Sequence, residues 1–229
     1  MRSLFKRVFT LFAVLTIFSA NLVSAQDTVL AVLFNEPVTE ADVSPDPAQL
    51  NTLAKALGVS REMAMAHFQH GKLTELIVDK VLADYATSRN ISPDPALVAR
   101  FIEVFGESLN TQKAKEAKAR AEAKANDDAL PMPKSTVQKS IQTIAEEQVK
   151  RWLIDKSLYN EFGGTVIFRS NTPQYPVGAY YALLQQYAKQ GKLVIKEDAF
   201  AGLFWKGFSA PYTAVIEPQS VDFSYPWWY

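Results

Sequence analysis

Few residues in this chain have the type and spacing for chemistry. His67 and His70 are the only histidines, and at i, i+3 on a helix they could meet one metal ion. Zinc and its relatives usually take three or four protein ligands, and with no cysteine the remainder would have to be carboxylates from elsewhere. The sequence therefore assigns no metal and no cofactor. The adjacent carboxylates Glu146-Glu147 and Asp127-Asp128 lack a recognisable acid–base partner. No nucleophile elbow, phosphate loop or dinucleotide fingerprint is present, so no catalytic residue is assigned.

Two apolar groups suggest binding instead. Met63, Met65 and Phe68 could line a groove for a polypeptide client, because methionine adapts to varied partners. The same stripe fits an ordinary core. The terminus Trp227-Trp228-Tyr229 could serve as a docking peptide, since Trp and Tyr dominate binding hot spots. It could equally pack onto the C-terminal region. The alternation from Val221 looks like a barrel-closing strand, but Pro226 interrupts the ladder and the required series of alternating strands is missing.

The elements that must position these residues are mostly helical. Residues 28–34, TVLAVLF, read as a short strand that breaks at Asn35-Glu36-Pro37. Thr39 with Asp42 reads as a capping box. Ser44-Pro45-Asp46-Pro47 opens a helix carrying Leu50, Leu53 and Leu57, and Gly58 stops it. Ser60 starts the next, which Gly71 is expected to interrupt. Leu73, Ile77, Val81 and Tyr85 then recur at spacing four, predicting a helix over 72–88. Asp94-Pro95 opens another with Leu97, Val98, Phe101, Ile102 and Phe105, expected to close at Gly106.

Residues 107–134 are a charged segment with high helix propensity but little to bury, hence a solvated helix or a linker. Ser135–Gln138 reads as a capping box before a helix to about Tyr159 that carries Val149 and Trp152. Beyond Gly163-Gly164 the pattern gives a strand at 165–168, a helix with Tyr180, Leu183, Leu184 and Tyr187, a strand at 193–195, and a short helix with Phe200, Phe204 and Trp205. The chain from Tyr212 is extended and aromatic.

The first 25 residues read as a signal peptide. Arg2, Lys6 and Arg7 precede an apolar run, Val8–Phe18, too short to span a bilayer, which takes about 20 residues. Val23 and Ala25 suit a signal peptidase. Removing 25 of 229 residues leaves 204, with 21 basic and 24 acidic side chains, about −3. That balance speaks against nucleic acid as a partner. No transmembrane segment is expected after cleavage, and the expected location is the periplasm.

Residues Leu33–Val43, with Asn90-Ile91 leading into a later helix, resemble the opening of the N-terminal domain of SurA-type periplasmic chaperones. That family has a valine–asparagine–glycine turn and a glutamate–proline–isoleucine–threonine step. Here Phe34 stands in the Asn place and Asn35 in the Gly place, and Asn tolerates the left-handed backbone that Gly favours. The resemblance covers roughly residues 27–160. It implies a mainly α fold: a SurA-N-like helical domain over 26–162 with a short N-terminal strand, followed by a small α+β region over 163–229. No parvulin-type isomerase domain is recognisable in the 67 residues from 163 to 229. What the resemblance implies is a non-catalytic chaperone or assembly factor for unfolded or extended polypeptide, outer-membrane proteins among them. The alternatives are a divergent prolyl isomerase and an envelope-complex module docking through its aromatic terminus.

Overall fold

A computed structural model describes residues 28–125 and 139–229. The signal-peptide segment, Asp127-Asp128 and the Ser135–Gln138 pattern lie outside the described residues. Within them the protein is mainly helical, with a small antiparallel sheet.

Strands β1 (Val29–Leu33) and β2 (Glu36–Thr39) form a hairpin whose two turn residues, Phe34 and Asn35, have φ of 53° and 68°. Two left-handed residues make the tight turn that matches strand twist, which is why Asn suits the second position. Phe34 tolerates its φ because its ring packs edge-on against Tyr187, 5.8 Å between centroids. Pro37 lies on β2, an edge strand, where a missing N–H does least harm. Thr39 closes the hairpin with the expected capping box: its N–H donates to Asp42 at 2.8 Å, starting α1 (Glu40–Val43).

Helix α2 (Pro47–Leu57) is capped by Asp46 and ends at Gly58, φ 65°. Helix α3 (Arg61–Ser88) starts at Ser60 and runs without a break through Gly71. The interruption expected there does not occur. Gly71 faces open space and lowers helix propensity by about 1 kcal/mol, while the buried stripe Leu73, Ile77, Val81 and Tyr85 holds the helix on course. Helix α4 (Pro95–Ala125) likewise passes the stop expected at Gly106 and takes in the charged segment up to Ala125. Its 31 residues span about 46 Å. Helix α5 (Ile141–Phe162) is capped by Ser140, whose hydroxyl accepts from Thr143 N–H at 2.9 Å.

Gly163 and Gly164 end α5 with φ of 61° and 91°. A second hairpin follows, β3 (Ile167–Arg169) and β4 (Thr172–Tyr175), then α6 (Val177–Lys189), β5 (Leu193–Ile195) and α7 (Asp198–Lys206). Strand β5 returns to pair with β1, giving the sheet order β2-β1-β5. The 162/163 position, expected to separate two regions, therefore lies inside shared architecture. Leu33, Ile77, Val81, Ile154, Leu158, Leu183, Leu184 and Phe204 all belong to one buried cluster.

A second cluster joins α4 to the first half of α5 through Val98, Phe101, Ala145, Val149 and Trp152, and Trp228 closes it. The C-terminal segment reaches that point by wrapping the second hairpin. Phe168 N–H donates to Ala214 O, and Ile216 N–H to Val166 O. Gln174 exchanges two hydrogen bonds with the backbone of Asp222, at 2.6 and 2.7 Å. No helix among the described residues is long and apolar enough to cross a membrane.

Candidate functional site

The residues singled out for binding from the sequence do not form one site. Met63 is exposed, 62% of its surface open, while Met65 is half-buried against the small cluster of Leu50, Ala54 and Ala64. Phe68 is also half-buried, and none of the three lines the cleft between α3, α5, the second hairpin and α7. At the terminus, Trp228 is buried beside Phe101 and Trp152, with ring centroids 5.3 and 6.1 Å away. The tail is thus anchored rather than free, although Trp227 and Tyr229 stay exposed at 43% and 68%. Of the paired carboxylates, Glu147 is bonded to Lys139 and Glu146 accepts from Gln142. His67 is exposed, and His70 packs its ring on Phe200 at 4.9 Å. Among the described residues no group of three or more His, Asp or Glu is placed to hold a metal ion.

The chemistry gathers elsewhere, in a cleft of about 420 Å³ between α3, α5, the second hairpin and α7. One wall is α3, with His70, Thr74, Glu75, Val78 and Asp79. The facing wall carries Arg151 of α5 and Arg169 of β3, with Tyr175 between them. Leu203, Phe204 and Phe208 supply the apolar part. Leu203 is 56% exposed at the rim, whereas Phe204 and Phe208 belong to the core beneath.

Four side chains at and beneath this wall lie against one another, with the two tyrosine rings tilted by 37°. The Arg169 guanidinium lies 3.8 Å over the Tyr175 ring. Tyr175 and Tyr180 are 4.5 Å apart, and Arg151 lies 5.5 Å from the Tyr180 ring on α6. Cation–π attraction draws each guanidinium to its tyrosine, and burial of the two phenols holds the rings in place. Burial pushes the Tyr175 hydroxyl well above its ordinary value, so it stays protonated across neutral pH.

Behind these side chains is Asp155, 1% exposed and the one buried charged or polar residue among the described ones. The Tyr180 hydroxyl donates to its Oδ1 at 2.6 Å, while Oδ2 has no partner. Loss of solvation raises its pKa to about 7, against the opposing pull of Arg151 and of the Tyr180 bond. Asp155 and Arg151 also border a cavity of about 10 Å³, too small for any organic group. His70 Nε2 and Thr74 Oγ1 on the α3 wall are likewise buried and unpartnered, and burial lowers the His70 pKa. The arrangement supplies fixed charge and hydrogen-bond donors next to apolar surface.

Sequence reasoning missed this cleft, yet one signal was present. Asp155 falls three residues after Trp152 and three before Leu158, inside the buried stripe of α5. An acid in the middle of an apolar stripe needs a donor, and the cation one turn away on the same face of that helix is Arg151 at i−4. Arg169 and Tyr175 gave no such signal, because only the fold of the second hairpin brings them there. Compared with known proteins, the chain matches no family model, no curated protein and no solved structure.

Proposed function

We propose that the chain is a periplasmic, non-catalytic chaperone or assembly factor that holds extended polypeptide in this cleft. The observation that carries the reading is the mixed lining. Exposed Leu203 and the aromatic floor face apolar side chains, while arginines on one wall and Glu75 and Asp79 on the other suit the dipoles of an unpaired backbone. The resemblance of residues 33–43 to SurA-type chaperones and the export-like first 25 residues support the same reading. Ile154 and Leu158 of α5 belong to the same buried cluster as Leu33 of β1 and Ile77 and Val81 of α3, which supports a common base beneath the cleft.

The test is aggregation of an unfolded outer-membrane barrel protein, without ATP, at near-stoichiometric ratios of the mature chain. Suppression is expected. Leu203→Asp, on an exposed side chain, should weaken it severalfold while leaving stability within about 0.5 kcal/mol. Absence of suppression over a range of clients would overturn the proposal.

A second reading rests on the exposed rings of Tyr225, Trp227 and Tyr229, which form a patch beside Phe105 of α4. It makes the protein a docking module of an envelope complex. Capture of one specific complex that Trp227→Ala abolishes would favour it.

A further inference from the structure

We infer that residues 222–229 form a proton-gated strap, closed over Asp155 while that carboxyl is neutral and loosened when it ionises. The inference goes beyond the polypeptide-binding reading and does not depend on what the cleft holds.

The strap is one wall of the small cavity beside Asp155. Phe223 and Trp227 line it from the C-terminal segment, Arg151 and Trp152 from α5, and Thr172 and Gln174 from the second hairpin. Its volume of about 10 Å³ has room for about one water. Asp155 is 1% exposed, and its Oδ2 has no partner. Such a carboxyl is comfortable when neutral. Once ionised it needs several donors, and the single bond from Tyr180 does not supply them. More water needs more room than the cavity has, so a wall must give way.

Of the walls, the strap is held least. Helix α5 and the hairpin are fixed by their own helical and strand hydrogen bonds, whereas the strap has neither helix nor strand and ends the chain. Its hold rests on the two Gln174–Asp222 hydrogen bonds, on Phe223 against Tyr159 at 5.0 Å, and on Trp228. Opening it uncovers Phe101 and Trp152, which are apolar surface on α4 and α5.

The neighbouring charges set the direction. Arg151 of α5 and Arg169 of β3 favour the ion, but burial outweighs them and raises the Asp155 pKa to about 7. Tyr175 of β4 and Tyr180 of α6 stay protonated, and Asp79 of α3 draws on Arg151. Phe223 and Trp227 carry no titratable group. Asp222 is exposed, held ionised by Ser224 N–H and attracted by Lys156. Neither histidine lines the cavity. With the strap open, Asp155 meets water and moves towards the ordinary carboxylate value near 4. The closed state therefore holds the extra proton between those values, and closure weakens as pH rises towards 7.

Amide hydrogen exchange of the full mature chain between about pH 5 and pH 8, corrected for the intrinsic pH dependence of exchange, measures the opening. The Asp222 amide, which donates to Gln174, reports the strap, and the amides of α6 report the interior. Protection at Asp222 should fall about tenfold or more over that range while staying well below that of α6. Asp155→Asn keeps the size and cannot ionise, so it should abolish the fall. Trp227 is 43% exposed, and Trp227→Ala opens the cavity wall while leaving the buried Trp228 in place, so the fall should shrink severalfold. Protection at Asp222 that does not change with pH, or an undiminished fall in either variant, would overturn the inference. So would protection that matches α6 at every pH, because the strap would then leave only with global unfolding.

Discussion

The two buried clusters of this protein are assembled in different ways. The smaller is local: α4 and the first half of α5 pack as neighbours and are closed by one aromatic, Trp228, delivered from the far end of the chain. The larger draws β1, α3, the second half of α5, α6, β5 and α7 into one interior and buries a charged side chain, Asp155, at its margin. Helix α5 belongs to both. Ala145, Val149 and Trp152 face one cluster, and Ile154 and Leu158 the other. On this division, loosening the smaller cluster should disturb the cleft less than an equal loss in the larger one.

Core truncations break this comparison most sharply. Trp228→Ala should destabilise by about 3–5 kcal/mol and Leu158→Ala by about 2–5 kcal/mol. Their hydrogen-exchange signatures should differ. Trp228→Ala should lose protection in α4 and early α5 alone, whereas Leu158→Ala should lose it throughout. Equal loss everywhere would mean the two clusters unfold as one unit.

The next effect is electrostatic and confined to the larger cluster. The pKa of Asp155 is near 7 in the fold against an ordinary carboxylate value near 4 when unfolded. Between those values the native state holds the extra proton, so stability falls as pH rises. The expected slope is about 1.4 kcal/mol per pH unit at its steepest. The contribution is complete below about pH 4 and gone above about pH 7. Asp155→Asn should flatten that segment in denaturant melts taken across pH 4–8. A slope unchanged in the variant would assign it to other groups.

A smaller effect is expected where α6 meets the end of α5. A Cβ on Gly178 would sit 2.5 Å from Thr165 N and 3.0 Å from Gly164 Cα, so backbone must shift. Gly178→Ala should destabilise by about 1–3 kcal/mol, read from the thermal midpoint. Removing a surface pair sets the lower end. Lys72 and Glu75 are 3.1 Å apart on exposed α3, and Lys72→Ala should change stability by no more than about 0.5 kcal/mol.

What the sequence made legible follows the same division. Local signals were clear. The Thr39 box, the Ser60 cap, the Gly58 stop and the spacing-four stripe of α3 each depend on neighbours within a turn or two, while the cap of α2 falls on Asp46, two residues after the opening Ser44. The misplaced stops at Gly71 and Gly106 arose because propensity weighs little once a buried stripe or a run of good helix formers carries the helix onward. The pairing of β5 with β1 crosses some 160 residues and leaves no local mark. The cleft was illegible for that reason. Arg151, Arg169 and Tyr175 come from elements that only the long-range sheet and the second hairpin bring together, and Met63, exposed on α3, does not line the cleft.

The central claim is that extended polypeptide lies in the cleft between Leu203 and the arginine–tyrosine wall. Photo-crosslinking tests it most directly, with a benzophenone amino acid placed at position 203 or at the exposed position 63, in the presence of an unfolded barrel protein. Strong crosslinking from 203 and little from 63 is the expected result. Crosslinks from 63 that equal or exceed those from 203 would contradict it.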